Sequence, residues 1–227
     1  MTKKTLLLAA LAGALTACSS NPPAPDWQSS SLGAMKSFTS AYLTGNTLAA
    51  NQEFARARFE VASTARADLV ARAELIRCAA QVASLVLEPC AGFDALAQDA
   101  GAPERAYAAY LAGRQSELDA NALALLPAHH RALVAAKDEA AQIALLSAIK
   151  EPLARLVGAG VLMQTGQLTP KGIDAAVDTA SEQGWRRPLL AWLGAQFKRA
   201  DAVGDVAGKA RIQRRIDLAL TGPAPVR

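Results

Sequence analysis

Arg66-Ala-Asp-Leu69-Val-Ala-Arg-Ala73-Glu-Leu75-Ile76-Arg-Cys78-Ala-Ala80-Gln-Val82-Ala83 is the stretch whose pattern decides the fold class. Leu69, Ala73, Ile76, Ala80 and Ala83 recur at steps of four and three, which sets them on one stripe of a helix. Leu75 and Val82 widen that stripe. The pattern predicts a helix over about 66–86, with Pro89 as its stop because proline has no amide hydrogen to continue the ladder.

The same grammar extends in both directions. Toward the N-terminus, Ala50, Phe54, Ala57 and Val61 mark a helix over about 47–62, and Leu32, Met35, Phe38 and Tyr42 mark one over 31–44 that Gly45 ends. Toward the C-terminus a short helix lies near Phe93–Ala97, and Pro103 opens another that Gly113 closes. Shorter helices occupy about 116–125, 127–136 and 138–150. Pro152 opens a helix ending near Gly166, and Thr169-Pro170 caps the next, which runs to Gly184. One beginning near Pro188 carries Leu190, Leu193 and Phe197, and the last, 206–220, carries Ile212, Ile216 and Leu220. No run alternates with period two. The expected class is all-α, with no significant β-sheet.

Composition agrees: hydrophobic residues make up 52%, inflated by alanine, and aromatics only 5%. Alanine, leucine, arginine and glutamate favour helix. Helices joined by short glycine or proline punctuation point to antiparallel helix pairs stacked in an α-solenoid array. Ala41-Tyr42-Leu43-Thr44-Gly45 is echoed by Ala109-Tyr110-Leu111-Ala112-Gly113, 68 positions on and twice the period of about 34 of a tetratricopeptide repeat. Val157-Gly158 and Leu193-Gly194 stand 36 apart. The stretch Leu190-Ala-Trp192-Leu193-Gly194-Ala-Gln-Phe197 resembles the first helix of such a repeat, a resemblance that implies close packing of the partner helix at Gly194. The turn Gly204-Asp205 comes a few residues late for the family, the proline that usually ends the second helix is absent until Pro223, and 86–150 shows no clean period.

The N-terminus carries a different signal. Lys3 and Lys4 precede an apolar run from Leu6 to about Leu15, followed by Leu15-Thr16-Ala17-Cys18. A short apolar run between lysines and a small-residue exit is an export signal, too short for the roughly 20 residues of a spanning helix. The last four residues resemble the lipobox of bacterial lipoproteins. That resemblance implies a signal peptide over 1–17, cleavage before Cys18 and acyl chains on Cys18, which stably anchor a protein. Ser19 follows instead of the aspartate that retains enterobacterial lipoproteins at the inner membrane, so the implied location is the outer membrane, facing the periplasm. The organisation expected is a lipidated Pro/Ser-rich tether over 18–30, a tetratricopeptide-like domain over 31–221 and a tail over 222–227. The tether reaches up to roughly 35 Å at about 3.1 Å per residue. Trp27, inside it, is expected to dock on the domain.

With Cys18 lipidated, Cys78 and Cys90 remain, and an even pair in an oxidising compartment points to a disulfide. A continuous helix would hold them about 18 Å apart, whereas a disulfide tolerates about 7 Å between Cα atoms, so bonding needs the chain to reverse before Cys90. The closed loop of about 13 residues corresponds to roughly 3 kcal/mol of chain entropy, less any strain.

Catalytic signatures are sparse. Gly158-Ala-Gly160 lacks the third glycine of a dinucleotide loop and lies in a helical pattern. No Gly-x-Ser-x-Gly elbow occurs. His129 and His130 are adjacent, point about 100° apart on a helix, and are expected to decorate the first turn after Pro127. Glu53, Glu60, Glu74, Glu104 and Glu117 are expected on solvated helix faces. No metal site or cofactor is implied. One charge feature stands out: the chain is +4 overall, yet from Trp185 onward nine basic residues face three acidic ones. Arg186, Arg187, Lys209, Arg211, Arg214 and Arg215, with Lys198 and Arg199, are candidates for contact with an anionic partner such as lipid headgroups, cell-wall polymer or an acidic protein; an exported protein rarely meets nucleic acid. The expected function is a non-enzymatic adaptor in envelope assembly with an envelope protein as partner. A peptidoglycan-acting enzyme, needing two facing carboxylates in a deep pocket, and a lipid or ligand carrier are the alternatives. A groove lined by Tyr107, Tyr110 and Trp192 would favour the adaptor.

Overall fold

The structure, a computed structural model, describes residues 25–136 and 138–221. The expected signal peptide over 1–17, the expected lipidation site Cys18 and the expected tail 222–227 lie outside the described residues. Twelve helices follow one another, and no strand occurs among the described residues. They are α1 (Asp26–Thr44), α2 (Thr47–Ala62), α3 (Ala67–Ala83), α4 (Ala91–Asp94), α5 (Ala102–Leu111), α6 (Ala120–Ala124), α7 (Ala128–Ala135), α8 (Glu139–Ala148), α9 (Pro152–Gln164), α10 (Pro170–Glu182), α11 (Arg186–Ala202) and α12 (Val206–Leu220), with a 3-10 turn at Gln115–Glu117. The first helix begins at Asp26, five residues inside the segment expected as tether. Trp27 does dock, against the cluster of Val61, Val70 and Ala73.

Two helices are buried nearly all round, and they form the centre. α3 buries Val70, Ala71, Leu75, Cys78, Ala79 and Val82 as well as its expected alanine stripe. α9 buries every residue from Leu156 to Leu162. A helix apolar on all sides is stable only when neighbours cover every side, and these two pack directly on each other although 69 or more positions separate them. α1 and α2 cover α3 on one flank, α10 covers α9 on the other, and the short helices α5, α7 and α8 fill the remaining sides. α11 joins α10 and α12 and also reaches back to α1. An open array touches only its sequence neighbours; the α3–α9 and α1–α11 contacts close this one upon itself.

Gly160 is what allows the central crossing. A Cβ built on it would lie 2.4 Å from the Val82 carbonyl oxygen of α3. Gly194, expected to serve close packing in α11, has nothing within 4 Å of the same position, so that expectation does not hold.

The pentapeptide echo has a local explanation. After α1 the Asn46 amide donates to Ala41 O at 2.8 Å and Gly45 to Tyr42 O at 3.1 Å; after α5, Arg114 donates to Ala109 O at 2.9 Å and Gly113 to Tyr110 O at 3.0 Å. Both are the same paired-carbonyl helix stop, with glycine at positive φ (93° and 70°). α3 uses the same stop with Leu85 in the left-handed position (φ 56°), so it ends at Ala83, before Pro89. Ala65, in the exposed turn between α2 and α3, also has a left-handed backbone (φ 54°). Glycine lacks the Cβ clash there, so Ala65→Gly is expected to stabilise the protein by about 1 kcal/mol. A rise in melting temperature of roughly 2–4 °C is the measurement; a fall would mean that the turn does not hold this conformation.

Candidate functional site

The terminal hairpin α11–α12 is positioned by Trp192 and Arg187. Trp192 is fully buried and donates from Nε1 to the Ala83 carbonyl at the end of α3, at 3.0 Å. Arg187 donates from Nε to Tyr42 O at 2.6 Å and from Nη2 to Thr47 Oγ1 at 2.7 Å, and its guanidinium lies 4.3 Å from the centre of the Tyr42 ring. A rigid fork of donors suits this clamp. Arg187, expected to be available to an anionic partner, is therefore committed inside the molecule, where it latches α11 to the α1–α2 turn. Lys209 pairs with Asp201 at 2.5 Å at the surface, with both side chains partly exposed, and lies 5.1 Å from the centre of the Phe197 ring. Arg186 is half-buried beside Gly45.

Arg211 and Arg214 are exposed and Arg215 half-exposed on α12. Arg199 of α11 joins Arg211 and Arg215 along a cavity of about 300 Å³, which also touches Gln196, Asp174 and Asp205. None of these four arginines forms an ion pair among the described residues. Both acids have other duties: Asp205 caps α12 by accepting from Gly208 N at 2.8 Å, and Asp174 accepts from Gln196 Nε2 at 2.6 Å. Three unpaired guanidinium groups along one cavity make it an anion-binding candidate.

Cys78 and Cys90 stand at disulfide-bonding distance, with Cα atoms 5.9 Å apart. The reversal comes from the stop at Leu85 and the non-helical run 86–90 that follows it. The expected outcome is that a thiol-alkylating reagent leaves both cysteines unmodified in denatured, unreduced protein and modifies both after reduction. Modification without reduction, read by mass spectrometry, would show that no bridge forms.

Several polar side chains are placed otherwise than expected. Glu74 and Glu104 are buried, not solvated. Glu74 pairs with Arg58 at 3.0 Å and Arg77 at 2.6 Å, and Glu104 pairs with Arg72 at 2.5 Å. Each buried carboxylate thus faces arginine. Of the three aromatics expected to line a groove, Tyr110 and Trp192 are buried, whereas Tyr107 is half-buried and borders a cavity with Leu75, Pro103, Leu125 and Pro127. His129 is exposed, but His130 is 1% exposed and stacks on Tyr110, with ring centres 4.8 Å apart. His130 Nε2 lies 3.0 Å from the Ala154 carbonyl, an acceptor, so Nε2 carries the proton. Nδ1 is then a bare acceptor, buried without a partner, as is the Tyr110 hydroxyl. Burial lowers the His130 pKa to about 4, and burial raises those of Tyr107 and Tyr110. The missed signal was the spacing of Leu126, His130 and Leu133, steps of four and three that match the buried stripes elsewhere.

No helix among the described residues is long and apolar enough to cross a membrane. No family model, curated protein or solved structure matches the chain.

Proposed function

We propose that this chain is a lipid-anchored envelope protein, held at the outer membrane through Cys18, whose helical domain serves as a non-enzymatic scaffold for another envelope protein. The observation that carries this reading is Leu15-Thr16-Ala17-Cys18 after a short apolar run and two lysines. Asp26 opens the first helix only eight residues after Cys18, a span of at most about 29 Å fully extended, so the domain sits close to the lipid surface. For the finer fold we propose that α9–α12 are two tetratricopeptide-like pairs: α9 and α11 begin 34 positions apart, the period of that repeat, and each is followed by a partner helix after a short turn.

Replacing Cys18 with alanine is expected to abolish labelling by a fatty-acid analogue in growing cells and to release the protein from the membrane fraction. Undiminished labelling of the variant would remove the anchor from the proposal. Crosslinking in intact cells then identifies the partner of the anchored protein.

A further inference from the structure

We infer that the exposed face of α12 is a docking surface for an anionic phospholipid bilayer. It gives the lipid-anchored domain a second contact with its own membrane, and it rests on the proposed anchoring only for the protein's location.

Arg211, Arg214, Arg215 and Leu218 are spaced i, i+3, i+4 and i+7, one stripe of a helix. None of the three arginines has a side-chain partner among the described residues, and Leu218 is 73% exposed. Val203, Val206 and Leu220, all at least 59% exposed, stand on the same terminal segment. These four are a large share of the exposed large hydrophobics, and they coincide with the most basic part of the chain. The end of a helical array needs a polar outer face to remain soluble. Here α12 buries only Gly208 fully and turns outward a mixture of arginine and aliphatic residues.

That mixture selects the occupant. An acidic protein surface would satisfy the guanidinium groups but leave Leu218, which shares their stripe, facing charge. An anionic bilayer offers phosphates to the arginines and, a few ångströms deeper, an apolar layer to the Leu218 side chain between them. The cavity between Arg199, Arg211 and Arg215 has room for a headgroup phosphate, its two carboxylates, Asp174 and Asp205, being already hydrogen-bonded to Gln196 and to the Gly208 amide. Beside them the Gln196 Oε1 is buried with no donor, an arrangement that suits a phosphodiester carrying a neighbouring hydroxyl, as in phosphatidylglycerol.

The test is vesicle co-sedimentation with residues 19–227, which contain the whole packed domain and lack Cys18, so lipidation plays no part in the result. Binding to phosphatidylglycerol-containing vesicles is expected to exceed binding to phosphatidylcholine vesicles and to weaken with salt. R211E/R214E/R215E is expected to weaken it about 100-fold; R211Q/R214Q/R215Q and Leu218→Ser should weaken it less, with unchanged melting temperatures. Equal binding to both vesicle types, binding that ignores the charge reversal, or no binding to either would overturn the inference, the last outcome returning the stripe to an acidic protein partner. Loss of fatty-acid labelling in Cys18→Ala is read separately, so failure of one proposal is distinguishable from failure of the other.

Discussion

Gly160→Ala is expected to destabilise the protein by about 2–3 kcal/mol, and Gly160→Val by about 4 kcal/mol. The added Cβ would lie 2.4 Å from the Val82 carbonyl oxygen and 2.8 Å from its Cγ1. The oxygen belongs to the α3 backbone, so no side-chain rotation relieves the clash, and the two central helices must separate. Separation loosens contacts along the whole α3–α9 crossing, where both helices are buried nearly all round. The effect opposes helix propensity, which favours alanine over glycine by about 1 kcal/mol. Gly194→Ala supplies the contrast. It lies in the helix α11 with open space around the new Cβ, so the same substitution is expected to stabilise by about 0.5–1 kcal/mol. Urea denaturation of both variants measures the two signs. If Gly160→Ala were as stabilising as Gly194→Ala, α9 would not approach α3 in this way.

Lowering the pH from 6.5 to 4 is expected to remove about 3 kcal/mol of stability through His130 alone. The folded protein holds this imidazole neutral down to about pH 4, because burial disfavours the charged form more than the bond to Ala154 favours it. The unfolded chain takes up the proton near the ordinary value of 6.5. Between these two values the unfolded state therefore binds more protons, and stability falls as pH falls; below about 4 the contribution is flat. Tyr107, Tyr110 and His129 surround the ring and offer no carboxylate to compensate an imidazolium. His130→Gln, which retains an amide donor for the Ala154 carbonyl, is expected to have a shallower decline over this range. Carboxylates titrate in both proteins, so the difference between the two stability curves isolates His130. Parallel curves from pH 6.5 to 4 would place its imidazole in contact with solvent.

The glutamates and histidines mark where pattern reading stopped. Glu74 follows Val70 by four and precedes Cys78 by four, a buried spacing on the second face of α3, yet a carboxylate in that position reads as solvent-facing until Arg58 and Arg77 are seen around it. Arg58 lies on another helix, and nothing in the spacing of 58 and 74 announces the pair. Arg187 is the converse case. It belongs by count to the most basic segment, but its donors are consumed by Tyr42 and Thr47, more than 130 positions earlier.

Helix class, most helix boundaries and the glycine stops were legible in the linear chain because they depend on period, capping and backbone freedom, all of which act within about five residues. Thr169 before Pro170 is such a case: its hydroxyl accepts from Gly172 N at 3.2 Å, as the dipeptide predicts. The partner of each helix, by contrast, depends on contacts between residues far apart in the chain. The sequence determined that α3 and α9 are apolar, but hydrophobic burial has no direction and does not say which apolar face meets which. The choice fell to shape, to a glycine opposite a backbone carbonyl and to a tryptophan reaching the last turn of α3, and that same choice left Arg199, Arg211, Arg214 and Arg215 on the terminal hairpin without an ion-pair partner among the described residues.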